Sequence, residues 1–507
     1  MSKVAITSIQ TLPPRVVPLG TLQGVVDLCD ALEAAGVRYC HWKSNDMLDR
    51  SARGENDLDL LIHRADGQAF AEILARLGFR HAQAPGGREH PGVSHHYSLD
   101  AETGRFVHIH AHVMLVLGDD TTKNYRLPLE VPYLASSSSP NGEIFPIPAA
   151  EFELAVFVVR MILKHATWDA VLIGKGTIGA NEQRELGWLL ERADLDETRE
   201  VVRRHLAGIG VDLWERCLAA ISTGQPLTKR LATGQALLHA LRPNARRHPM
   251  LDMSLRAVRR GTWGTRRYVF NVPVRKRLTR AGATVAIVGG DGAGKSTAVE
   301  GTAAWLSKIF VVRQTHLGKP RPSLLTLGVK GPMYVGRRIG LLPSTKAVID
   351  PRTATADDFP GNAWALWHLL TGRDRLRDYR GLRRVSDAGG IVISDRWPLP
   401  QISLMDGPRT TWLARQPTRK GRVTRLLMEA ERRTYAHIAP PDVLVVLRID
   451  PEIAVARRID EESTYVRARN TEVFHADWSG TEAVVVDASQ PPEAVLAEIR
   501  RAVWDRL

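Results

Sequence analysis

The stretch Ala283–Thr297 reads ATVAIVGGDGAGKST and decides the fold of the second half of this 507-residue chain. It opens with the largely apolar run Ala283–Val288, which has the length and composition of a buried strand. Glycines then dominate, and Ser296–Ile309 carries apolar residues at helical spacing. The stretch therefore predicts a strand, a glycine-rich loop and a helix in direct succession.

The loop Gly289–Ser296 reads GGDGAGKS and fits the pattern G-x-x-x-x-G-K-[ST] at every fixed position. Glycines let consecutive backbone N–H groups face inward and make a nest for phosphate oxygens, and the start of a helix adds its dipole to the same anion site. The lysine would reach the β- and γ-phosphates, and the serine hydroxyl would ligate Mg²⁺. The predicted nucleotide-binding residues are Gly289, Asp291, Gly292, Ala293, Gly294, Lys295, Ser296 and Thr297.

Apolar strand-like runs and helical stretches alternate through the rest of the chain. The runs are Ile391–Ser394, Val443–Ile449 and Ala483–Val486. Alternation of this kind predicts an α/β fold in which a parallel sheet is covered by helices on both faces. One run ends in Asp395-Arg396-Trp397, and a carboxylate at the end of such a strand can hold Mg²⁺ or its waters beside the phosphate loop.

The segments GGDGAGKST, VISDRW, PDVLVVLRIDPEIAVARR and VVVDAS follow one another as they do in the thymidylate kinase family, and the chain resembles that family from Ala283 to Leu507. The resemblance implies that Asp291 faces the acceptor nucleotide and that Asp395 and Arg396 handle metal and acceptor phosphate. It also implies a lid whose arginines approach the transferred phosphoryl group. The lid candidates are Arg457, Arg458, Arg467 and Arg469, of which Arg458 and Arg467 are assigned as catalytic together with Lys295, Asp395 and Arg396.

The acceptor side departs from the family pattern. Thymidylate kinases follow the Asp-Arg-aromatic motif with a small-residue stretch that ends in a glutamine, and the aromatic residue is usually tyrosine. Here the aromatic residue is Trp397, the following stretch reads PLPQISLMDGPR around Gln401, and the insert Gly318–Pro360 is poorly matched. Kinase chemistry is therefore expected, with thymidylate itself less secure as the acceptor.

The first half of the chain has a different organisation. Its expected helices are Leu22–Ala35 and Ala69–Leu77, and its expected strands are Val37–Trp42, Leu58–Ile62 and Phe106–Met114. From residue 150 helical periodicity dominates, beginning with Glu151–Lys164. We predict an α+β domain at 1–149, a helical lobe at 150–241, a basic linker at 242–281 and the P-loop domain at 282–507.

A second resemblance lies in the stretch HWKSNDMLDRSARGENDLDLLIHR, where Asp57-Leu58-Asp59 follows Lys43-Ser44 by about a dozen residues. The stretch resembles the opening of the nucleotidyltransferase superfamily, whose D-x-D carboxylates share a divalent metal with a third acid on a neighbouring strand. Alternate strand residues do point to one face. The candidate neighbouring strand carries histidines instead, namely His108, His110 and His112.

The histidines leave three interpretations open. Asp57, Asp59 and one histidine, His108 or His110 first, could bind a second divalent metal, and imidazole favours Zn, Mn or Fe over Mg. The domain could instead keep the fold for binding without transferase activity, or the histidines could simply face solvent on an edge strand. Nine of the 17 histidines precede residue 113, which favours a site here.

The formal net charge of +14 is concentrated in one segment. Between Arg242 and Arg280, twelve Arg or Lys residues stand against the single acid Asp252, a net of +11. We interpret this segment as a solvated linker with partial structure, and peripheral contact with an anionic membrane is the second interpretation. Nucleic acid is not expected as a partner, because the charge does not spread over a folded face.

Composition sets the remaining limits. With 44% hydrophobic and 24% charged residues the chain has a globular composition, and its length predicts two or three domains. We find no apolar run long enough to span a bilayer, no signal-peptide pattern and only three cysteines, so a cytoplasmic location is expected.

The sequence thus favours an ATP- and Mg²⁺-dependent kinase that phosphorylates a phosphate-bearing acceptor such as a nucleoside monophosphate. Two alternatives are a bifunctional protein whose first half transfers a nucleotidyl group to a sugar phosphate or glycan precursor, and a non-catalytic ATP-sensing module.

Overall fold

The computed structural model describes residues 16–85, 88–139, 142–172, 174, 176–222, 225–270, 275–339, 359, 361–402, 407–411, 413, 421–458 and 462–507. The chain divides into two compact units, Met1–Val274 and Arg275–Leu507. Each unit contains a β-sheet and several helices, and the second contains a fully parallel sheet. The predicted α/β class is therefore confirmed.

The first unit contains seven described strands. They are β1 (Tyr39–His41), β2 (Leu58–Ile62), β3 (Arg80–Gln83), β4 (Val93–Leu99), β5 (Phe106–His112), β6 (Leu115–Leu117) and β7 (Tyr125–Leu127). Five of them are neighbours in the order β1-β2-β5-β4-β3, and only the β2–β5 pair among these is parallel. Because β2 and β5 are adjacent parallel strands, the side chains of register partners lie next to each other on the same face of the sheet.

Helices surround this sheet and continue as a lobe. They are α1 (Gln23–Ala34), α2 (Leu48–Ala52), α3 (Gly67–Arg76), α4 (Glu130–Ala135), α5 (Ala150–His165), α6 (Trp168–Leu172), α7 (Ala180–Arg192), α8 (Leu195–His205), α9 (Val211–Ile221) and α10 (Leu227–Ala240). Helix α5 is buried almost all round, as expected of the central helix of a bundle. In the described parts of the chain, no helix combines the length and apolarity needed to cross a membrane.

The basic segment contains a helix that the sequence did not predict, α11 (Pro249–Gly264), followed by a π-helical turn over Thr265–Val269. Proline at the first helical position costs no hydrogen bond, because the N–H it lacks would have had no partner. Arg256 Nη1 lies 2.6 Å from Asp169 Oδ2, and Arg260 Nη1 lies 3.2 Å from the same oxygen. Part of the positive charge is thus neutralised within the first unit. Residues 271–274 of the segment lie outside the described residues.

The second unit opens with a two-residue strand, β8 (Arg277–Leu278), and then builds a parallel sheet. Its strands are β9 (Ala283–Gly289), β10 (Val312–His316), β11 (Ile391–Asp395), β12 (Val443–Arg448) and β13 (Val484–Asp487). Its helices are α12 (Lys295–Leu306), α13 (Leu324–Arg338), α14 (Asn362–Asp387), α15 (Arg422–Ala436), α16 (Pro451–Arg457), α17 (Ser463–His475) and α18 (Pro492–Arg506). The quoted stretch thus forms the predicted strand, loop and helix.

The parallel strands lie in the order β10-β11-β9-β12-β13. The central strand, β9, is buried along its whole length and pairs with β11 on one side and β12 on the other. Because all the carboxyl ends meet at one edge of the sheet, the loop after β9 lies beside the last residue of β11, which is Asp395. In open α/β sheets, this edge is where ligands bind.

Candidate functional site

The glycine-rich loop connects β9 to α12 through two left-handed residues. Gly292 and Gly294 have φ of +85° and +84°, a conformation in which a side chain is strained. Helix α12 begins at Lys295, and the side chains of Ser296 and Thr297 are exposed in its first turn. The first backbone N–H groups of a helix have no intrahelical partner, so this turn is available to an anion.

Three cationic side chains converge on Asp291 within this loop. Lys295 Nζ lies 3.7 Å from Asp291 Oδ1 and also donates a hydrogen bond to the Gly290 carbonyl (2.6 Å). Arg396 Nη2 lies 3.2 Å from Oδ1, and Arg469 Nη1 lies 2.6 Å from Oδ2. The sequence predicted roles for Asp291, Lys295, Arg396 and Arg469. It did not predict that the three cations would meet at the Asp291 carboxylate.

The charges in this cluster affect one another. Burial alone would raise the pKa of the Asp291 carboxyl, but Lys295, Arg469 and Arg396 outweigh burial and hold that pKa below its usual value. Burial lowers the pKa of the Lys295 ammonium, and the negative charge of Asp291 opposes the shift. The negative charge of Asp395 also acts on Lys295, so three cations stand beside two carboxylates, Asp291 and Asp395.

The strand end Asp395-Arg396 has two unusual features. Arg396 has φ of +72°, a strained conformation for a residue with a side chain, and it is held by a hydrogen bond from Ser394 Oγ to its carbonyl (2.8 Å). The buried Oδ1 of Asp395 finds no hydrogen-bond partner among the residues that the structure describes. A buried carboxylate oxygen without a donor fits a cation ligand, and oxygen is what Mg²⁺ prefers.

The structure separates the four lid arginines. Arg469 reaches Asp291, and the stem of Arg458 lies against the loop, with Cγ 3.1 Å from where a Cβ on Gly292 would be. Arg467, which the sequence analysis preferred to Arg469, instead pairs with Glu452, Nε to Oε1 at 2.6 Å, on an exposed surface. Arg457 donates a hydrogen bond to the Ala488 carbonyl (3.1 Å).

Sequence reasoning missed Asn470, which follows Arg469 on α17. Its Nδ2 donates hydrogen bonds to the Asp291 carbonyl (2.8 Å) and the Val466 carbonyl (2.9 Å), and the residue is only 2% exposed. It therefore fixes the helix that carries Arg469 against the loop. The available signal was a polar residue on the buried face of α17, four positions after Val466 and three before Val473.

The segment after β11 explains one departure from the expected acceptor pattern. Trp397 is a core residue, 1% exposed, and its indole N–H donates a hydrogen bond to the Ala439 carbonyl (3.1 Å). Further on, Glu431 of α15 accepts hydrogen bonds from the backbone N–H groups of Arg409 (3.1 Å) and Thr410 (2.9 Å). Residues 403–406, within the stretch PLPQISLMDGPR, lie outside the described residues.

In the first unit, the D-x-D carboxylates face the histidines of β5, as the spacing suggested. Asp57 Oδ1 lies 2.6 Å from His108 Nδ1, and Asp59 Oδ1 lies 3.0 Å from His110 Nδ1. Asp59 Oδ1 is also 2.9 Å from Lys43 Nζ. The two carboxylates thus have separate partners, so the structure does not bring them together around one point.

A cavity of about 560 Å³ lies next to this cluster in the first unit. Trp42 and Lys43 line it together with Lys123 and Arg160, two cationic residues that the sequence analysis did not single out. Burial lowers the pKa of Lys123 to about 8. The cavity therefore presents several cationic groups, although acidic residues, Glu185 among them, also line it.

No family model matches the chain. The chain is similar to proteins of Escherichia coli K12 and Escherichia coli O6:H1, each named "Uncharacterized ATP-binding protein YghR". Either alignment is 26% identical over 236 residues and covers 43% of this chain and 86% of the relative. The likeness is thus to proteins named for ATP binding, and it does not extend over the whole chain.

Proposed function

We propose that residues 282–507 form an ATP- and Mg²⁺-dependent phosphotransferase that resembles thymidylate kinase and phosphorylates a phosphate-bearing acceptor, such as a nucleoside monophosphate. The observation that carries the proposal is the convergence of Lys295, Arg396 and Arg469 on Asp291 at the start of α12. Three cations stand beside the two carboxylates Asp291 and Asp395, and the phosphates of a nucleotide would bring further negative charge to them. The relatives named for ATP binding add support.

Each group has a part in binding. The loop N–H groups and the Lys295 ammonium would bind phosphate oxygens of ATP, at a helix start that already favours negative charge. Ser296 and Asp395 would hold Mg²⁺, which supplies charge neutralisation to the phosphates. The partnerless Oδ1 of Asp395 and the exposed hydroxyl of Ser296 fit that assignment.

Transfer, rather than binding alone, is supported by the two arginines. Phosphoryl transfer spreads charge over the equatorial oxygens of the moving group, and fixed cations lower its barrier. Arg396 at the end of β11 and Arg469 on α17 come from different elements yet reach the same carboxylate. Both would exchange Asp291 for phosphate oxygens of ATP and acceptor, and Arg458 lies against the same loop.

The first unit offers a second candidate function, nucleotidyl transfer to a sugar phosphate or glycan precursor. The observation in its favour is the pairing of Asp59 with Lys43 beside a cavity lined by cations. A non-catalytic ATP sensor is the remaining alternative. The cytoplasmic location and the domain limits 1–149, 150–241, 242–281 and 282–507 stay proposals.

Product analysis with labelled ATP distinguishes these functions. The full chain would be incubated with ATP labelled at the α- or γ-phosphate and with a panel of nucleoside and sugar monophosphates. We expect γ-phosphate transfer to one acceptor class. Transfer of the α-phosphate would indicate the nucleotidyltransferase instead, and tight binding with neither transfer would indicate the sensor.

A matched pair of lysine variants tests the site itself. Lys295→Ala should reduce γ-phosphate transfer about 100- to 1000-fold, the usual effect of removing one preorganised cationic or hydrogen-bonding group. Lys308→Ala changes an exposed lysine just after the far end of α12 and should leave transfer unchanged. Undiminished transfer by a folded Lys295→Ala protein would reject the model.

Membrane contact through residues 242–280 is also testable. Since Arg256 and Arg260 are ion-paired within the first unit, we expect little sedimentation with anionic liposomes at moderate salt. Strong co-sedimentation under those conditions would support the hypothesis of membrane attachment.

A further inference from the structure

Two histidines and one carboxylate converge in the first unit. Asp59 on β2 and His110 on β5 are register partners of adjacent parallel strands, and His112 lies two positions further along β5. His110 Nδ1 is 3.0 Å and His112 Nε2 is 4.0 Å from Asp59 Oδ1. All three ligand atoms fall within 4.8 Å of one another. Metal–ligand bonds of about 2.0–2.2 Å place tetrahedral ligand atoms roughly 3.3–3.6 Å apart, which lies within the range of these separations.

The environment of His112 supports a site here independently of the distances between the ligand atoms. Its side chain is completely buried, and neither ring nitrogen has a hydrogen-bond partner among the described residues. The ring is packed edge-on against Trp42, with centroids 5.0 Å apart, and against His110 at 4.4 Å. Buried polar groups are nearly always satisfied, so an imidazole left in this state beside a carboxylate indicates a missing ligand.

The neighbouring Asp57 and His108 do not belong to the set. They are hydrogen-bonded to each other at 2.6 Å, and His108 Nε2 lies 3.1 Å from His95 Nδ1. Asp57 is also 54% exposed, against 13% for the side chain of Asp59. The site is therefore different from a pair of D-x-D carboxylates, since it combines one carboxylate with two imidazoles.

Lys43 is the competitor for the same carboxylate. Its ammonium lies 2.9 Å from Asp59 Oδ1 and supplies the positive charge that a metal ion would otherwise bring. The side chain is 22% exposed and lines the adjacent cavity, so it has room to move aside.

We propose that Asp59, His110 and His112 bind one divalent transition-metal ion of the zinc class, which displaces the Lys43 ammonium from Asp59. Two imidazoles and a carboxylate suit zinc, iron(II) or manganese better than magnesium. Three protein ligands leave coordination positions for water or an exogenous ligand. The adjacent cavity has the space for such a ligand.

The test is metal binding by the full chain after chelator treatment. Titration with Zn²⁺ by calorimetry, and with Co²⁺ followed by visible absorption, should give one site per chain. Asp59→Asn, His110→Ala and His112→Ala should each weaken binding by more than about tenfold, since even outer-shell partners change metal affinity about 10- to 100-fold. His81→Ala alters an exposed histidine of the same sheet and should bind as the unaltered protein does.

Lys43→Met makes the test specific. Removing the competing ammonium should strengthen Zn²⁺ binding several-fold, an effect that a histidine-rich surface would not show. If His112→Ala fails to fold, His110→Ala and Lys43→Met still test the metal site, because the His110 side chain is more accessible to solvent than that of His112. Absence of a single site, equal affinity in His110→Ala and His81→Ala, or weaker binding in Lys43→Met would each overturn the proposal.

Discussion

Asp291 and Asp59 are two buried carboxylates, one in each unit, and each gathers several side chains around it. Around Asp291 the partners are one lysine and two arginines, which all carry charge at neutral pH. Around Asp59 they are one lysine and two histidines. Burial lowers the pKa of both His110 and His112, so these rings are neutral at pH 7.

Similar arrangements of side chains around a carboxylate can thus suit ligands of opposite charge. Three fixed cations outnumber the carboxylates Asp291 and Asp395 beside them, which suits a polyanion such as a nucleotide. One cation and two neutral imidazoles leave lone pairs without excess charge, which suits a metal cation. The side-chain types, rather than the arrangement around a carboxylate, therefore distinguish the two clusters.

The largest expected effect concerns the arginine that reaches Asp291. Arg469→Ala should lower kcat/KM for γ-phosphate transfer by about 100- to 1000-fold, because it removes a preorganised charge from the loop. Arg467→Ala should change kcat/KM by less than about twofold, since an exposed ion pair contributes little. Steady-state kinetics on the two variants checks this, and equal losses would mean that both arginines act at the phosphates.

A glycine substitution tests how closely α17 must approach the loop. A Cβ at Gly290 would lie 2.0 Å from Asn470 Oδ1, so Gly290→Ala should push away the helix that carries Arg469. We expect kcat/KM to fall by about 10- to 100-fold through misplacement alone. Gly381→Ala, where no atom lies within 4 Å of the new Cβ, is the matched control. Comparable activity of the two variants would contradict the close packing.

Removing the negative charge of Asp291 should affect the stability of the ligand-free protein more than that of the ATP-bound protein. Asp291→Asn leaves three cations without their counterion, and we expect it to lower the free energy of unfolding by on the order of 2 kcal/mol. ATP would restore the negative charge, so its stabilising effect should be larger in the variant than in the unaltered protein. Thermal unfolding with and without ATP measures both. A variant that is as stable as the parent and gains no more from ATP would show that the cluster has no excess of positive charge.

The first unit contains a third buried carboxylate, one with little cationic compensation. Glu153 is 2% exposed, accepts a hydrogen bond from Asn45 Nδ2 (2.8 Å), and its pKa is raised to about 8, chiefly by burial. A raised pKa in the folded state means that stability is lost as pH rises from about 4.5 to about 8. Glu153→Gln should therefore be more stable than the parent at pH 8 by at most roughly 4 kcal/mol, since each unit of pKa corresponds to about 1.4 kcal/mol.

Denaturant unfolding at pH 4.5 and pH 8 provides the check. The difference between Glu153→Gln and the parent should be small at the lower pH and grow towards the higher one. A difference independent of pH would indicate that the Glu153 side chain is ionised throughout, as the carboxyls of Asp291 and Asp59 are.

The sequence by itself determined the phosphate loop and its surroundings. The loop, its glycines and the start of α12 are contiguous, so their geometry follows from local backbone preferences. The position of Asp395 also followed, because parallel strands end at one edge of a sheet. In the first unit, the resemblance to nucleotidyltransferases implied that the histidine strand neighbours the D-x-D strand, and Asp59 and His110 are register partners on β2 and β5.

Only the tertiary structure decided which side chains meet. Arg467 and Arg469 are two residues apart on α17, so they point to nearly opposite sides of the helix and only one can reach the loop. Which one does so depends on how α17 packs, and that depends on the buried Asn470. The same holds in the first unit. Asp57 pairs with His108, and the ring of His112 has no hydrogen-bond partner among the described residues, because of the neighbours that β4 and β5 bring from far along the chain. Such contacts join distant residues, and no local pattern encodes them.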